Sequence, residues 1–208
     1  MKGILISFEG IDGSGKSTQA KLLEQYFRSA GRNVILLREP GGTVVGERIR
    51  AILLDRAHDD MTPLTEVFLY LAARAQITVQ CIVPALERGD IVIMDRFRDS
   101  TTVYQGFARG LGMDKMNRLN EIATGGITPD ITFLIDSETS HALSRVGGSP
   151  DRLESEGVAF MESVRDGFLK LCETEGSRVK YIDGNQDIET VGKDVRIIVE
   201  RFLSGQKS

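Results

Sequence analysis

The chain has 208 residues, 41% of them hydrophobic and 27% charged, with a formal net charge of −4. That length suits a single domain spanning residues 1–208 that needs no disulfides to fold, and the balance argues against disordered, collagen-like and membrane-spanning classes. The negative total also argues against a binder of nucleic-acid polymers held by bulk positive charge, although Arg outnumbers Lys 18 to 8.

Residues 3–8 predict a first strand, followed by a glycine-rich turn and a helix over about 15–30. A second strand over 33–37 leads through Glu39-Pro40-Gly41-Gly42-Thr43 to a helix over about 44–55. Thr62, Pro63 and Glu66 read as an N-cap, a first-turn proline and a capping-box glutamate opening a helix that runs to about 87. Ile91–Met94 is apolar throughout, as a strand buried on both faces should be. Helices over about 101–108 and 115–123 precede a strand over 130–135; a helix over 152–175, a strand over 178–182 and a helix over 188–203 complete the chain. Strands separated by helices predict an α/β three-layer fold with a five-stranded parallel sheet and right-handed crossovers. The stretch Val146-Gly147-Gly148-Ser149-Pro150 is the most flexible-looking interior segment.

No run approaches the ~20 apolar residues of a membrane span, and the N-terminal run is too short for a signal peptide, so the expectation is a cytoplasmic protein with no membrane partner. Cys81 and Cys172 are far apart and read as buried free thiols; with only His58 and His141 besides, both taken as surface residues, no structural zinc site is expected.

Gly10-Ile11-Asp12-Gly13-Ser14-Gly15-Lys16-Ser17, followed by Thr18, matches G-x-x-x-x-G-K-[ST] between a strand and a helix. Glycines let the backbone wrap a phosphate, and successive N–H groups and the helix N-terminus point at the anion. Lys16 suits the β- and γ-phosphates, and the Ser17 hydroxyl suits Mg²⁺. These features predict a nucleoside triphosphate site.

The third strand ends at Asp95-Arg96, a Walker B-like aspartate followed by a cation, and the second strand ends at Arg38-Glu39. Ligands of open α/β sheets sit beyond the carboxyl ends of the strands, so two arginines there suggest a second anionic ligand, with surface ion pairs as the alternative. Tyr70 and Arg74 share one helix face. They could hold a flat base, but spacing alone favours a half-buried tyrosine beside a surface arginine.

These residues together resemble the thymidylate kinase family over nearly the whole chain. The resemblance is carried by Phe8 to Thr18, by Arg38 to Thr43, by Leu71-Ala72-Ala73-Arg74-Ala75-Gln76, by Asp95-Arg96-Phe97 with Ser100, Thr101, Tyr104, Gln105 and Gly106, and by Asp151-Arg152-Leu153-Glu154. It implies a P-loop nucleoside-monophosphate kinase fold, Mg²⁺ with ATP as phosphoryl donor, dTMP as acceptor and a homodimer built on helices near 64–88 and 101–123. Asp12 would contact the dTMP sugar near Mg²⁺, and Arg96 and Arg50 would bind its phosphate with Arg38 close by. Tyr70 sits where the family usually has Phe stacking on thymine. Arg74 would bond the thymine edge, Ser100, Thr101 and Gln105 would line the base site, and Tyr104 would crowd the 2′ position. Residues near Gly184 to Asp187 would border adenine.

The bacterial type of the family supplies arginine from a mobile lid, here at about 141–155. Arg145 and Arg152 fit that role, although Val146 to Ser149 carries no charge. The implied reaction is in-line transfer to a phosphate oxygen that needs no strong base, with Lys16, Arg96 and a lid arginine stabilising charge. The alternatives are a kinase for another nucleoside monophosphate, and a P-loop ATPase or GTPase switch, the latter lacking an N-K-x-D motif.

Overall fold

The computed structural model describes residues 3–148 and 151–205. Five strands, β1 (Ile4–Glu9), β2 (Val34–Arg38), β3 (Ile91–Asp95), β4 (Ile131–Asp136) and β5 (Val179–Asp183), form one parallel sheet in the order β2-β3-β1-β4-β5. β1 is apolar on both faces because helices cover both. Ile4, Ile6 and Phe8 pack with residues of α1 (Lys16–Ser29) and α9 (Ile188–Gly205), with the Phe8 and Phe133 rings 5.3 Å apart. Leu5 faces the other layer, where α3 (Pro63–Ile77) and α4 (Val83–Glu87) cover it. Further along the same strand, on Leu5's side by the strand alternation, stand two buried polar residues, Ser7 and Glu9. α2 (Val44–Leu54) packs on α3, and α8 (Val158–Thr174) covers β4 and β5.

The sheet order makes β1 the switch between a chain path that moves out to β2 and β3 and one that moves out to β4 and β5. The crevice beyond the strand carboxyl ends therefore opens beside β1, where the phosphate loop follows.

Several predicted helices differ from those observed. The helix expected to run from 63 to 87 is interrupted by a π turn over Thr78–Ile82, just before Pro84. Pro84 has no N–H to give to the preceding turn, and the wider π register accommodates its ring. The helix expected over 101–108 is a single turn, α5 (Arg98–Thr101), running into a π segment over Thr102–Ala108. The one expected from 152 begins at Val158, after a 3₁₀ turn over Glu154–Glu156. α6 (Met113–Thr124) matches expectation, whereas α7 (Thr139–Ser144) was not foreseen.

The capping-box reading of Glu66 is also corrected. Thr62 caps α3 by accepting from the Thr65 N–H at 3.3 Å, while Glu66 stands one residue too late to reach back and is 1% exposed inside the fold. The statement that no segment approaches a membrane span is corrected as well: Pro63–Glu87 is a 25-residue helical run with mean hydropathy 1.4 over its best window. Its Val67, Leu71, Ala73, Ile77, Ile82 and Ala85 are buried in this fold. Both cysteines are free thiols but only half-buried.

Candidate active site

The turn after β1 wraps tightly because two of its three glycines leave no room for a Cβ. A Cβ on Gly13 (φ 79°) would come within 1.9 Å of the Ala142 carbonyl oxygen of α7, and one on Gly10 (φ 140°) within 2.4 Å of the Ile135 carbonyl. Ile11 turns its side chain into the core and presents its carbonyl, which accepts from Lys16 Nζ at 2.8 Å. Lys16 is 5% exposed, and burial, with Arg96 nearby, pushes its ammonium down to about 8. Ser17 at the start of α1 donates to Asp95 Oδ2 at 2.5 Å, so the end of β3 and the first helical turn bring two oxygen ligands together.

A cleft with about 950 Å³ of empty space runs along this loop, lined by Asp12 to Gln19, Arg145, Gly184, Gln186, Ile188 and Val191. Ser14 contributes a buried hydroxyl with no protein partner among the described residues. Arg145, exposed after α7, faces this cleft. Asp12 to Thr18 of the residues expected at the triphosphate, and Gly184 and Gln186 of those expected near adenine, therefore share one surface, whereas Gly10 and Ile11 are buried behind it.

Arg96 follows β3 with φ 66°, the one non-glycine residue with positive φ among those described. That turn aims its guanidinium back toward the phosphate loop. Nη1 donates to the Gly10 carbonyl at 2.9 Å and to Ser100 Oγ at 3.2 Å, and Nη2 donates to Asp12 Oδ1 at 2.6 Å. The Tyr104 ring lies 5.3 Å below the guanidinium carbon. Burial works against the Arg96 charge, but Asp12 outweighs it and keeps the group fully cationic. Burial also opposes ionisation of Asp12, yet Arg96 and Lys16 hold its carboxyl well below the usual range.

Behind Arg96 sits Glu9, fully buried, accepting from the Phe97 N–H at 2.8 Å and from Ser100 Oγ at 2.6 Å. Burial and the negative Asp99 push Glu9 up to about 8. Glu9 falls within the Phe8 to Thr18 stretch that carries the resemblance, but no role was expected for it, and the strand predicted over 3–8 stops before it.

A second cleft, with about 560 Å³ of empty space, opens on the other side of Asp12. Arg50, Tyr70, Arg74, Arg96, Ser100, Thr101, Tyr104 and Gln105 all line it, together with Glu39, Asp151 and Leu153. Arg50 Nη1 donates to the Pro40 carbonyl at 3.0 Å. The Tyr104 hydroxyl is buried without a protein partner among the described residues. Arg38 is not in this wall. It is half-exposed, bonds both Glu47 oxygens at 3.1 and 3.0 Å, and lines a shallow hollow with Ser17 and Asp95.

Two expectations change here. Arg74 is no surface arginine: it is 1% exposed, and Nε, Nη1 and Nη2 each donate to a protein acceptor. Nε and Nη2 meet Glu39 Oε2 at 2.9 and 2.7 Å, Nη1 meets Thr101 Oγ1 and Asn120 Oδ1 at 2.9 and 2.6 Å, and Nη2 also meets the Phe97 carbonyl at 3.1 Å. A base edge reaching Arg74 would have to share one of these donors. Burial pushes Glu39 up against the pull of Arg74, and its other oxygen, Oε1, has no partner among the described residues.

Arg152 is likewise not at the phosphate loop. It is 5% exposed, donates Nε to the Leu53 carbonyl at 2.8 Å and Nη2 to Glu66 Oε2. Of the two lid arginines, only Arg145 faces the larger cleft. Ser149 and Pro150 of the expected lid lie outside the described residues.

Two anionic groups, one in each cleft, would approach each other at Asp12, between Lys16 and Arg96. Such a seam neutralises phosphate charge from both sides. The family model for thymidylate kinase matches residues 8–195. The chain belongs to that family. The thymidylate kinase of Thermoanaerobacter sp. (strain X514) is 50% identical over 204 residues, covering 98% of this chain and 100% of that protein. That of Caldanaerobacter subterraneus subsp. tengcongensis is 50% identical over 208 residues, with both chains covered completely. The crystal structure of thymidylate kinase from Ehrlichia chaffeensis aligns with a TM-score of 0.79 at 35% identity, over 96% of this chain and 99% of that one. Thymidylate kinases are phosphotransferases, and this member has the P-loop α/β fold that the resemblance implied.

Proposed function

We propose that the protein transfers the γ-phosphoryl group of ATP to dTMP, giving dTDP, with ATP in the larger cleft and dTMP in the smaller. The observation that carries this reading is Asp12, the one residue among those described that lines both clefts, held between Lys16 and Arg96. The acceptor is a phosphate oxygen that is already anionic, so no strong base is required. The barrier to overcome is repulsion between two phosphates. Lys16 and the loop N–H groups hold the donor, Arg96 and Arg50 hold the acceptor, and Arg145 reaches the donor side from the lid.

Ser17 and Asp95, 2.5 Å apart at the strand end, fit a Mg²⁺ ion, which takes few protein oxygens beside waters and phosphate. When bound it would offset phosphate charge. The lid over about 141–155 excludes water on closing.

The homodimer expected from the resemblance has support in Leu64, Phe68 and Val79 on the α3 run and Ile122 on α6, which are 42–79% exposed. The α3–α4 run is read as a core helix rather than a membrane span, since Glu66 and Arg74 within it form buried ion pairs. Two free thiols suit a cytoplasmic enzyme.

The test is ADP release from ATP with dTMP, dUMP, dCMP and dGMP in turn. Stimulation by dTMP above the others is expected; preference for another monophosphate would move the substrate, and release independent of all four would overturn the kinase reading.

A further inference from the structure

The smaller cleft contains a glutamine whose amide can be oriented by chemistry alone. Gln105 is 1% exposed and its Nε2 lies 2.8 Å from Glu66 Oε1. A carboxylate oxygen only accepts, so the atom facing it must be the amide nitrogen. Glu66 is kept ionised by its surroundings. Burial opposes its charge, but Arg109 and Gln105, with Arg152, outweigh burial and lower its carboxyl below the ordinary value. Arg109 donates Nε to Oε1 at 2.8 Å and Nη2 to Oε2 at 3.1 Å, and Arg152 donates to Oε2. The carboxylate is thus held from three sides, and its place does not depend on Gln105. Nε2 spends one of its two N–H groups on Glu66, and the carbonyl oxygen, which has no protein donor among the described residues, is the acceptor that Gln105 offers the cleft.

We infer that Glu66 is a positioning residue that fixes Gln105 with its acceptor oxygen toward the base, so that the site selects pyrimidines carrying a ring N–H and rejects those carrying a ring lone pair. Thymine offers N3–H; cytosine offers an unprotonated N3, which would face another acceptor. A free glutamine would flip its amide and accept either. Glu66 removes that freedom, and an unmatched buried acceptor pair costs binding. Specificity then rests on a residue that lines neither cleft. This inference rests on the reading of the smaller cleft as the dTMP site.

The experiment compares dTMP with 5-methyl-dCMP, which keeps the methyl group and sugar and changes the N3 and C4 edge. The readout is the ratio of kcat/KM values, with KM for ATP measured alongside. Glu66→Gln gives residue 66 an amide that can donate, which frees Gln105 to turn over. The ratio should fall about tenfold, with KM for ATP unchanged. Gln105→Met should lower the ratio similarly, and the double variant should lose no more than either single variant, because both act through one amide. Glu66→Asp keeps a charge for Arg109 and Arg152 but withdraws it from Gln105, and covers the case in which Glu66→Gln fails to fold; its ratio should fall too.

A wild-type ratio in both Glu66 variants, or additive losses in the double variant, would overturn the positioning role. A wild-type ratio and undiminished kcat/KM for dTMP in Gln105→Met would overturn the base-site reading itself.

Discussion

Arg96 donates Nη2 to Asp12 Oδ1 at 2.6 Å, across the seam where the two clefts meet. Each charge holds the other in place, and neither is spent on the protein surface. Replacing Arg96 with Ala leaves Asp12 facing the incoming phosphate with only Lys16 to offset it. KM for dTMP should rise at least tenfold, roughly the loss of one charge-assisted contact. Steady-state kinetics checks this, and an unchanged KM would remove Arg96 from the acceptor site.

Lys16 separates activity from stability. Its ammonium is pushed down to about 8, so its charge is held in the fold at a cost. Lys16→Met should reduce turnover about 10²-fold or more through lost electrostatic stabilisation. The melting temperature should stay within a few degrees of the parent. Turnover within twofold of the parent would refute the role given to Lys16.

Glu9 carries a pH dependence. Its folded value, about 8, lies above the ordinary 4.5, so between those values the folded state binds a proton that the unfolded state has released. Stability from this group is complete below about 4.5 and is lost as pH rises through 8, with a slope of up to about 1.4 kcal/mol per pH unit. Gln mimics the protonated carboxyl: its oxygen accepts from the Phe97 N–H and its nitrogen donates to Ser100 Oγ. Urea unfolding at pH 5, 6.5 and 8 should show a flatter profile for Glu9→Gln than for the parent, and parallel profiles would contradict the assignment.

Arg74 should prove structural as well as substrate-facing. Arg74→Met leaves Glu39 buried with its ion-pair partner gone, which costs about 3–5 kcal/mol. Thermal melting should fall by many degrees, and adding Glu39→Gln should recover part of the loss. A melting temperature equal to the parent's would contradict the buried pair.

The two arginines proposed for the lid should behave differently. Arg145 is exposed and faces the larger cleft, whereas Arg152 is tied to Glu66 and the Leu53 carbonyl. Arg145→Ala should slow single-turnover transfer at unchanged melting temperature. Arg152→Ala should lower the melting temperature, because those contacts are lost from the interior, in contrast to the lid role that the resemblance implies for it. Normal transfer by Arg145→Ala would leave the lid without a catalytic arginine.

The phosphate loop, the strand-end Asp95 and Arg96, and the five strands were all legible in the amino-acid order, because each depends on neighbours close in sequence. A glycine-rich turn between an apolar strand and a helix places Lys16 and Ser17 whatever the rest of the chain does. The helix irregularities at Thr78–Ile82 and Thr102–Ala108 were not legible, since the i→i+5 register answers to packing and to Pro84 rather than to periodicity.

Glu66 shows the limit most clearly. From sequence it is a helix-start glutamate; in the fold its partners are Gln105, Arg109 and Arg152, between 39 and 86 residues away. Arg74 follows the same logic, with its acceptors on Glu39, Phe97, Thr101 and Asn120. The amino-acid order by itself determined the fold class, the triphosphate loop and the family. Only the tertiary structure decided which of the 18 arginines meet carboxylates in the interior and which remain for phosphate, because burial and ion pairing are set by side chains that the chain brings together from distant segments.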